Sequence, residues 1–160
     1  MRYFTGQYER TIDVKKRIQI PSQLRAGIDP KLDGPGLYVV LGQYRGTLSV
    51  YTERGFNDLA GRISTESMPG PESRLFELQF YSLASHVEFD KQGRLVLPDK
   101  LVRKARLQDE VSLVGQKTRF DIWNREAFER TRGIDWEGDD WPDWSSFIRM
   151  PSTSVEKVGL

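Results

Sequence analysis

The 160-residue sequence predicts an α+β, β-rich chain of two tandem β-hairpin modules with short helices, each too small to bury its own core and so sharing one or pairing with another chain. Three observations predict this. The stretch Val87-Glu88-Phe89-Asp90-Lys91-Gln92-Gly93-Arg94-Leu95-Val96-Leu97-Pro98 sets two apolar β-type runs around a polar turn, a hairpin signal. At a spacing of 77, Thr11-Ile12-Asp13-Val14-Lys15-Lys16-Arg17-Ile18-Gln19-Ile20-Pro21 repeats its Asp, Arg and Pro, with Ile12, Ile18 and Ile20 for Phe89, Leu95 and Leu97. Further on, two apolar runs end in the same Gly-Gln pair, Gly42-Gln43 and Gly115-Gln116, at an offset of 73, and the strands after them match at 72.

Each element follows from local chemistry. Residues 6–12 read as the first entering strand and 17–20 as the returning one. Asp13 and Asp90 head the turns, where the carboxylate can accept from backbone N–H groups two residues on. Gly93 takes positive φ without a Cβ clash. The first copy has Lys16 there, which predicts a different geometry or a strained turn. Pro21 and Pro98 end the returning strands, because proline cannot donate to a ladder. Ser22 and Asp99 read as caps of short helices reaching residues 26 and 105, the first closed by Gly27. Residues 29–36, rich in Pro, Gly and Asp, read as a loop.

Strands then follow over 37–43 and 47–51, answered by 110–116 and 119–123. Each last strand leads into a short helix, 53–62 and 124–131, with Phe56 matching Phe128. Residues 64–72 form a Pro/Gly/Ser linker. Residues 73–85 suit a helix with a broad buried face, although Leu75, Phe76, Leu78, Phe80, Tyr81 and Leu83 also fit a strand in part. The expected organisation is 1–63 and 86–132 as the two repeats, 64–85 between them, and a tail over 133–160. In that tail Trp136, Trp141, Trp144 and Phe147 stand among acids, and disordered chains are poor in aromatics. It is expected to pack on its own or a neighbouring subunit, or to serve as an acidic docking arm for a protein partner. Residues 151–160 are expected to fray.

Composition narrows the function. No apolar run reaches the roughly 18 residues of a membrane span, and Met1-Arg2-Tyr3-Phe4 does not begin a signal-peptide core. A cytoplasmic, nucleoid-associated protein with no membrane partner is expected. Zero Cys excludes disulfides, thiolate chemistry and Cys-based zinc sites. The net charge of +1 hides an asymmetry: residues 1–26 carry +4 and residues 131–160 carry −3. A basic head and an acidic tail point to a polyanion partner.

The doubled pattern resembles the MraZ family. The matching segments are Tyr3-Phe4-Thr5-Gly6-Gln7-Tyr8, the two Asp-x-x-x-Arg turns running to Pro21 and Pro98, and Phe120-Asp121-Ile122-Trp123, within residues 3–130. The tail has no counterpart in this likeness. The resemblance implies an AbrB-like fold, in which swapped β-hairpins interlock into a small barrel, here with both hairpins in one chain. It also implies a bacterial regulator of the division and cell-wall gene cluster that assembles as a homo-oligomeric ring on upstream direct repeats of double-stranded DNA. By match, Arg17 and Arg94 inherit the DNA-facing role, with Lys15, Lys16 and Lys91 beside them.

The residue types suit that role on their own chemistry. A guanidinium fork can grip phosphate or the O6/N7 edge of guanine, and lysines add sequence-independent attraction through counterion release. Arg17 and Arg94 are therefore expected at base edges or closely held phosphates, and Lys15, Lys16, Lys91 and Arg10 at backbone phosphate. Asp13, Asp90 and Gly93 are expected to organise the turns. The plainer alternative is a local Asp–Arg pair that only ties each turn. An enzyme is disfavoured: His86 is the only histidine, no nucleophile has a recognisable setting, and neither a phosphate loop nor a metal-ligand cluster appears, so no catalytic residue, metal or cofactor is expected. The remaining rival is an oligomeric protein-interaction scaffold of the same fold that does not bind DNA, with the acidic tail covering the basic face.

Overall fold

In the computed structural model, residues 2–63, 70–132 and 137–146 are described. They fall into two units, residues 1–130 and 131–160. The first contains β1 (Gln7–Thr11), β2 (Arg17–Gln19), α1 (Ser22–Arg25), α2 (Pro30–Asp33), β3 (Leu37–Leu41), β4 (Thr47–Thr52) and α3 (Glu53–Arg62). It continues with α4 (Pro71–Leu83), β5 (Ser85–Val87), β6 (Arg94–Val96), α5 (Asp99–Ala105), β7 (Glu110–Gly115), β8 (Phe120–Asn124) and most of α6 (Arg125–Arg132).

The strands form an antiparallel six-stranded sheet, β1-β7-β8-β4-β3-β5, and a separate antiparallel ribbon, β2-β6. The order is a palindrome of the repeat. Each copy's first strand lies against the other copy: β1 on β7, and β5 on β3. The matched strands β4 and β8 meet at the centre, and β2 meets β6. The expected interlocking of the copies is therefore present, as two sheets with no ladder joining ribbon to sheet among the described residues. Both expected turns are present, and what changes is which strands their flanks pair with. Asp13 N–H donates to the Arg17 carbonyl at 3.0 Å and Asp90 N–H to that of Arg94 at 2.9 Å, closing each turn. Beyond that bond the flanking strands diverge into different sheets, because each finds a full-length ladder only in the other copy.

The repeat offset is also corrected in one place. Leu37 pairs with Val87, and Val111 pairs with Arg10, so β3 and β7 correspond at a spacing of 74 rather than 73. The strands after them keep the offset of 72, so two extra residues are absorbed in the β3–β4 turn: six lie between Leu41 and Leu48, four between their counterparts Gly115 and Phe120. The side-chain period of a strand is two, so the single step from 73 to 74 decides which face each residue occupies. Tyr38, not Val39, stands where Ser112 stands.

Between the sheets lies the core. Leu37, Val39, Leu48, Val50, Val111, Leu113, Phe120 and Ile122 from the large sheet meet Ile18, Ile20, Leu95 and Leu97 from the ribbon and Leu24, Leu101 and Val102 from α1 and α5. Ile18 and Leu95 are fully buried, and each such burial contributes about 1.5–3 kcal/mol. The outer face of the sheet carries Tyr38, Tyr51 and Trp123. Phe56 of α3 stacks on Tyr38 at 4.2 Å and Phe128 of α6 meets Trp123 edge-on at 5.5 Å. A buried polar network runs across the centre: Ser49 Oγ donates to Asp121 Oδ1 at 2.6 Å, and Arg119 Nε donates to the same oxygen at 2.9 Å.

Several local expectations change. Residues 30–33 are helical, with the Asp29 carboxylate accepting from Lys31 N–H. Pro21 and Pro98, not Ser22 and Asp99, occupy the cap positions. Residues 71–83 form the expected helix, beginning inside the stretch read as linker, but not its broad buried face: none of its residues is buried, and Leu75, Phe76 and Leu78 are exposed; residues 64–69 lie outside the described residues. In the second unit, Asp143 Oδ1 accepts from Ser145 N–H and Oγ ahead of the short 3-10 turn Trp144–Ser146, and Trp141 and Trp144 are exposed. Trp136, Phe147 and residues 151–160 lie outside the described residues.

Candidate functional site

The two turns are built alike, atom for atom. Asp13 Oδ1 accepts from Lys15 N–H at 2.9 Å and from Arg17 N–H at 2.8 Å, while Oδ2 accepts from Arg17 Nε at 2.6 Å. Asp90 Oδ1 accepts from Gln92 and Arg94 N–H at 2.9 Å, and Oδ2 from Arg94 Nε at 2.8 Å. The Arg17 N–H holds the Asp13 carboxyl below its ordinary range, with the Arg17 guanidinium adding to it; the Arg94 N–H does the same to Asp90. Each carboxylate thus fixes both the turn and the first stretch of the arginine side chain.

Lys16 does not change that geometry. Its φ is 62°, beside 77° for Gly93, and Lys16 N–H donates to the Asp13 carbonyl as Gly93 N–H does to that of Asp90. The lysine is held in the left-handed region that glycine occupies in the second copy. The turns are also stitched across the repeat: Leu97 N–H donates to the Lys16 carbonyl and Ile20 N–H to the Gly93 carbonyl.

The ribbon register places the arginines. Arg17 is opposite Val96, Ile18 opposite Leu95, and Gln19 opposite Arg94. Facing residues in a ladder share a side and neighbours along a strand alternate. With Ile18 and Leu95 in the core, Arg17, Gln19, Arg94 and Val96 all project from the solvent face. The arginines are diagonal neighbours, about 7–8 Å apart with their Cβ atoms somewhat closer. Arg17 keeps both Nη groups without a partner among the described residues, and Arg94 keeps Nη1, its Nη2 donating to Gln92 Oε1 at 3.0 Å. Donors are thus left on a fork whose root is fixed.

Lys15 and Lys91 are exposed on the turns, and Lys16 is half-buried. Arg10 stands apart in β1, in the other sheet, with its Nη1 on the Glu9 carbonyl. The structure adds residues to the site. Gln19 Nε2 donates to the Gln92 carbonyl at 2.9 Å, tying the ribbon to the opposite turn. Arg25 lies over Gly93, and its Nε donates to the Ile20 carbonyl at 3.1 Å. Val14, at the tip of the first turn, is 95% exposed. The alternation around Ile18 and Leu95 carried the signal for Gln19; Arg25 gave none.

The family described as "MraZ protein, putative antitoxin-like" matches residues 80–132. The protein named Transcriptional regulator MraZ from Moorella thermoacetica is 34% identical over 126 residues, 79% of this chain and 84% of that protein. The chain belongs to the MraZ family. The MraZ of Ligilactobacillus salivarius is 33% identical over the same shares, and that of Cytophaga hutchinsonii 26% identical over 81% of this chain and 85% of its own length. Membership in MraZ carries the AbrB-like swapped-hairpin superfamily with it, whose strand exchange is the β1–β7 and β5–β3 pairing. MraZ proteins are regulators rather than enzymes. No helix among the described residues is long and apolar enough to cross a membrane.

Proposed function

We propose that the chain regulates transcription by binding double-stranded DNA through the solvent face of the β2–β6 ribbon, with Arg17 and Arg94 on base edges or closely held phosphates and Lys15, Lys16 and Lys91 on the backbone. The observation that carries this is the shared face of the two arginines, each with its root fixed by Asp13 or Asp90, with both outer nitrogens of Arg17 and Nη1 of Arg94 unspent. The relatives bear the name of transcriptional regulators. Each Asp cancels one guanidinium, so the lysines supply the net positive charge of the face.

One protomer offers a small face, so several are needed. A ring of copies along direct repeats upstream of the division and cell-wall genes would multiply a weak grip through effective concentration. The open edges of β1 and β5 leave backbone donors and acceptors for neighbours. Light scattering at micromolar concentration should report a closed oligomer, and a monomer would overturn the ring.

The test is Arg94→Ala, with Arg17→Ala beside it, in anisotropy titrations against duplex DNA from upstream of the protein's own gene. A base contact should cost about 1–3 kcal/mol and relax preference at one position, whereas a phosphate contact weakens all sequences alike. Unchanged binding by folded variants would leave the turns as structural ties and the reading refuted.

A further inference from the structure

We propose that a second surface, the cleft between the β3–β4 turn and the C-terminal end of α5, holds the phosphate backbone of the same DNA through Arg45, Lys104 and Arg106; this rests on the ribbon reading above. The cleft has a volume of about 510 Å³, and its walls include Tyr44 and the three cations but no carboxylate. Arg103 also borders it, with its Nε held by Asp99 at 2.8 Å. No side-chain partner appears among the described residues for Arg45, Lys104 or Arg106. Like charges gathered without a counter-charge repel one another, and a polyanion relieves that repulsion.

The backbone gives an independent reason. Among the described residues only three besides glycine have positive φ, and all three are cations: Lys16, Arg106 and Lys117. Glycine or asparagine is the usual occupant of such positions, above all just after a helix. Arg106 ends α5 with φ 55° and ψ 40°. Its carbonyl accepts from Asn124 Nδ2 at 3.1 Å, a bond any residue's backbone would make. Nothing in the fold therefore asks for arginine there, and strain retained for one side chain points to the work of that side chain. Lys16 is the same case, inside the Arg17 turn.

The span that one duplex would have to cover between the two surfaces is short. Helix α5 leaves β6 directly after Pro98, and its seven residues span about 10 Å. The cleft thus lies about one helix length beyond the strand carrying Arg94, well inside the roughly 34 Å of one turn of DNA. The cleft beside Lys117 is not included, because Asp33 and Asp58 line it.

The test uses the full chain with Arg45→Gln, Lys104→Gln and Arg106→Gly combined, the glycine chosen because it relieves φ. Anisotropy titrations against the upstream duplex and a scrambled duplex, between about 50 and 200 mM salt, should show the slope of log K against log salt shallower by about 2–3. The loss should be equal on both duplexes, and Arg106→Gly alone should melt no lower than the parent. Parental affinity and slope in the triple variant, with Arg94→Ala still impaired, would overturn the cleft and leave the ribbon reading standing. A loss confined to the upstream duplex would equally overturn a backbone role. Parental binding by Arg94→Ala would instead reject the ribbon reading.

Discussion

Lys16→Gly should stabilise the protein while weakening its hold on DNA. The two turns share their backbone bonds and every bond to the aspartate, so the substitution changes only the occupant of a left-handed position. Holding an L-residue there costs about 1–2 kcal/mol, and the greater freedom of glycine in the unfolded chain returns about 0.5–1 kcal/mol of that. The net gain is about 0.5–1 kcal/mol, or a Tm higher by about 1–4 °C for a chain of this size. Differential scanning calorimetry at matched protein concentration measures it, since association makes Tm concentration-dependent. The converse, Gly93→Lys, is not equivalent: a Cβ at Gly93 would lie 2.8 Å from Arg25 Cζ, forcing that side chain off the Ile20 carbonyl. On DNA, Lys16→Gly should lower the salt slope by about 0.9, the loss of one phosphate contact. A Tm that falls on Lys16→Gly would refute the equivalence of the turns.

Two further outcomes follow from buried and hydrogen-bonded carboxylates. Asp121→Ala leaves the largely buried Arg119 guanidinium and the Ser49 hydroxyl without their acceptor, and should cost about 3–5 kcal/mol in urea unfolding. Asp13 and Asp90 have carboxyls lowered in the folded state, so their contribution is present above the unfolded value of about 3.9 and is lost as pH falls through the folded values. Urea midpoints measured from neutral to acid pH should therefore drop less steeply for the Asp13→Asn, Asp90→Asn double variant than for the parent.

Turn chemistry was the most legible part of the sequence. Asp13, Asp90 and the arginines four residues on could be placed because a carboxylate at a turn head has few partners and all are local. Strand identity was nearly as clear, since the alternation around Ile18 and Leu95 has a period of two. Pairing was not legible. A run such as 7–11 carries no mark of which strand it will lie against, and the turn at Asp13 suggested the neighbour in sequence when the ladder is made with β7. The offset of 74 escaped for a related reason: the Gly-Gln pairs align at 73, and only the register reveals the longer β3–β4 turn. The cleft at Arg106 was hidden because its cations come from distant stretches, residues 45 and 104–106, brought together by α5 packing on β3 and β4.

Completing the strand exchange within one polypeptide has a consequence for what the ribbon can read. A true two-fold dimer presents identical halves and matches a palindrome. Here one turn offers Val14-Lys15-Lys16 and the other Lys91-Gln92-Gly93, on a scaffold that keeps the two in mirrored places. If the ribbon binds duplex DNA as proposed, each protomer has a head and a heel on it. A word read by such a protomer has a direction, and copies laid end to end in one sense would favour sites written over and over in that same sense.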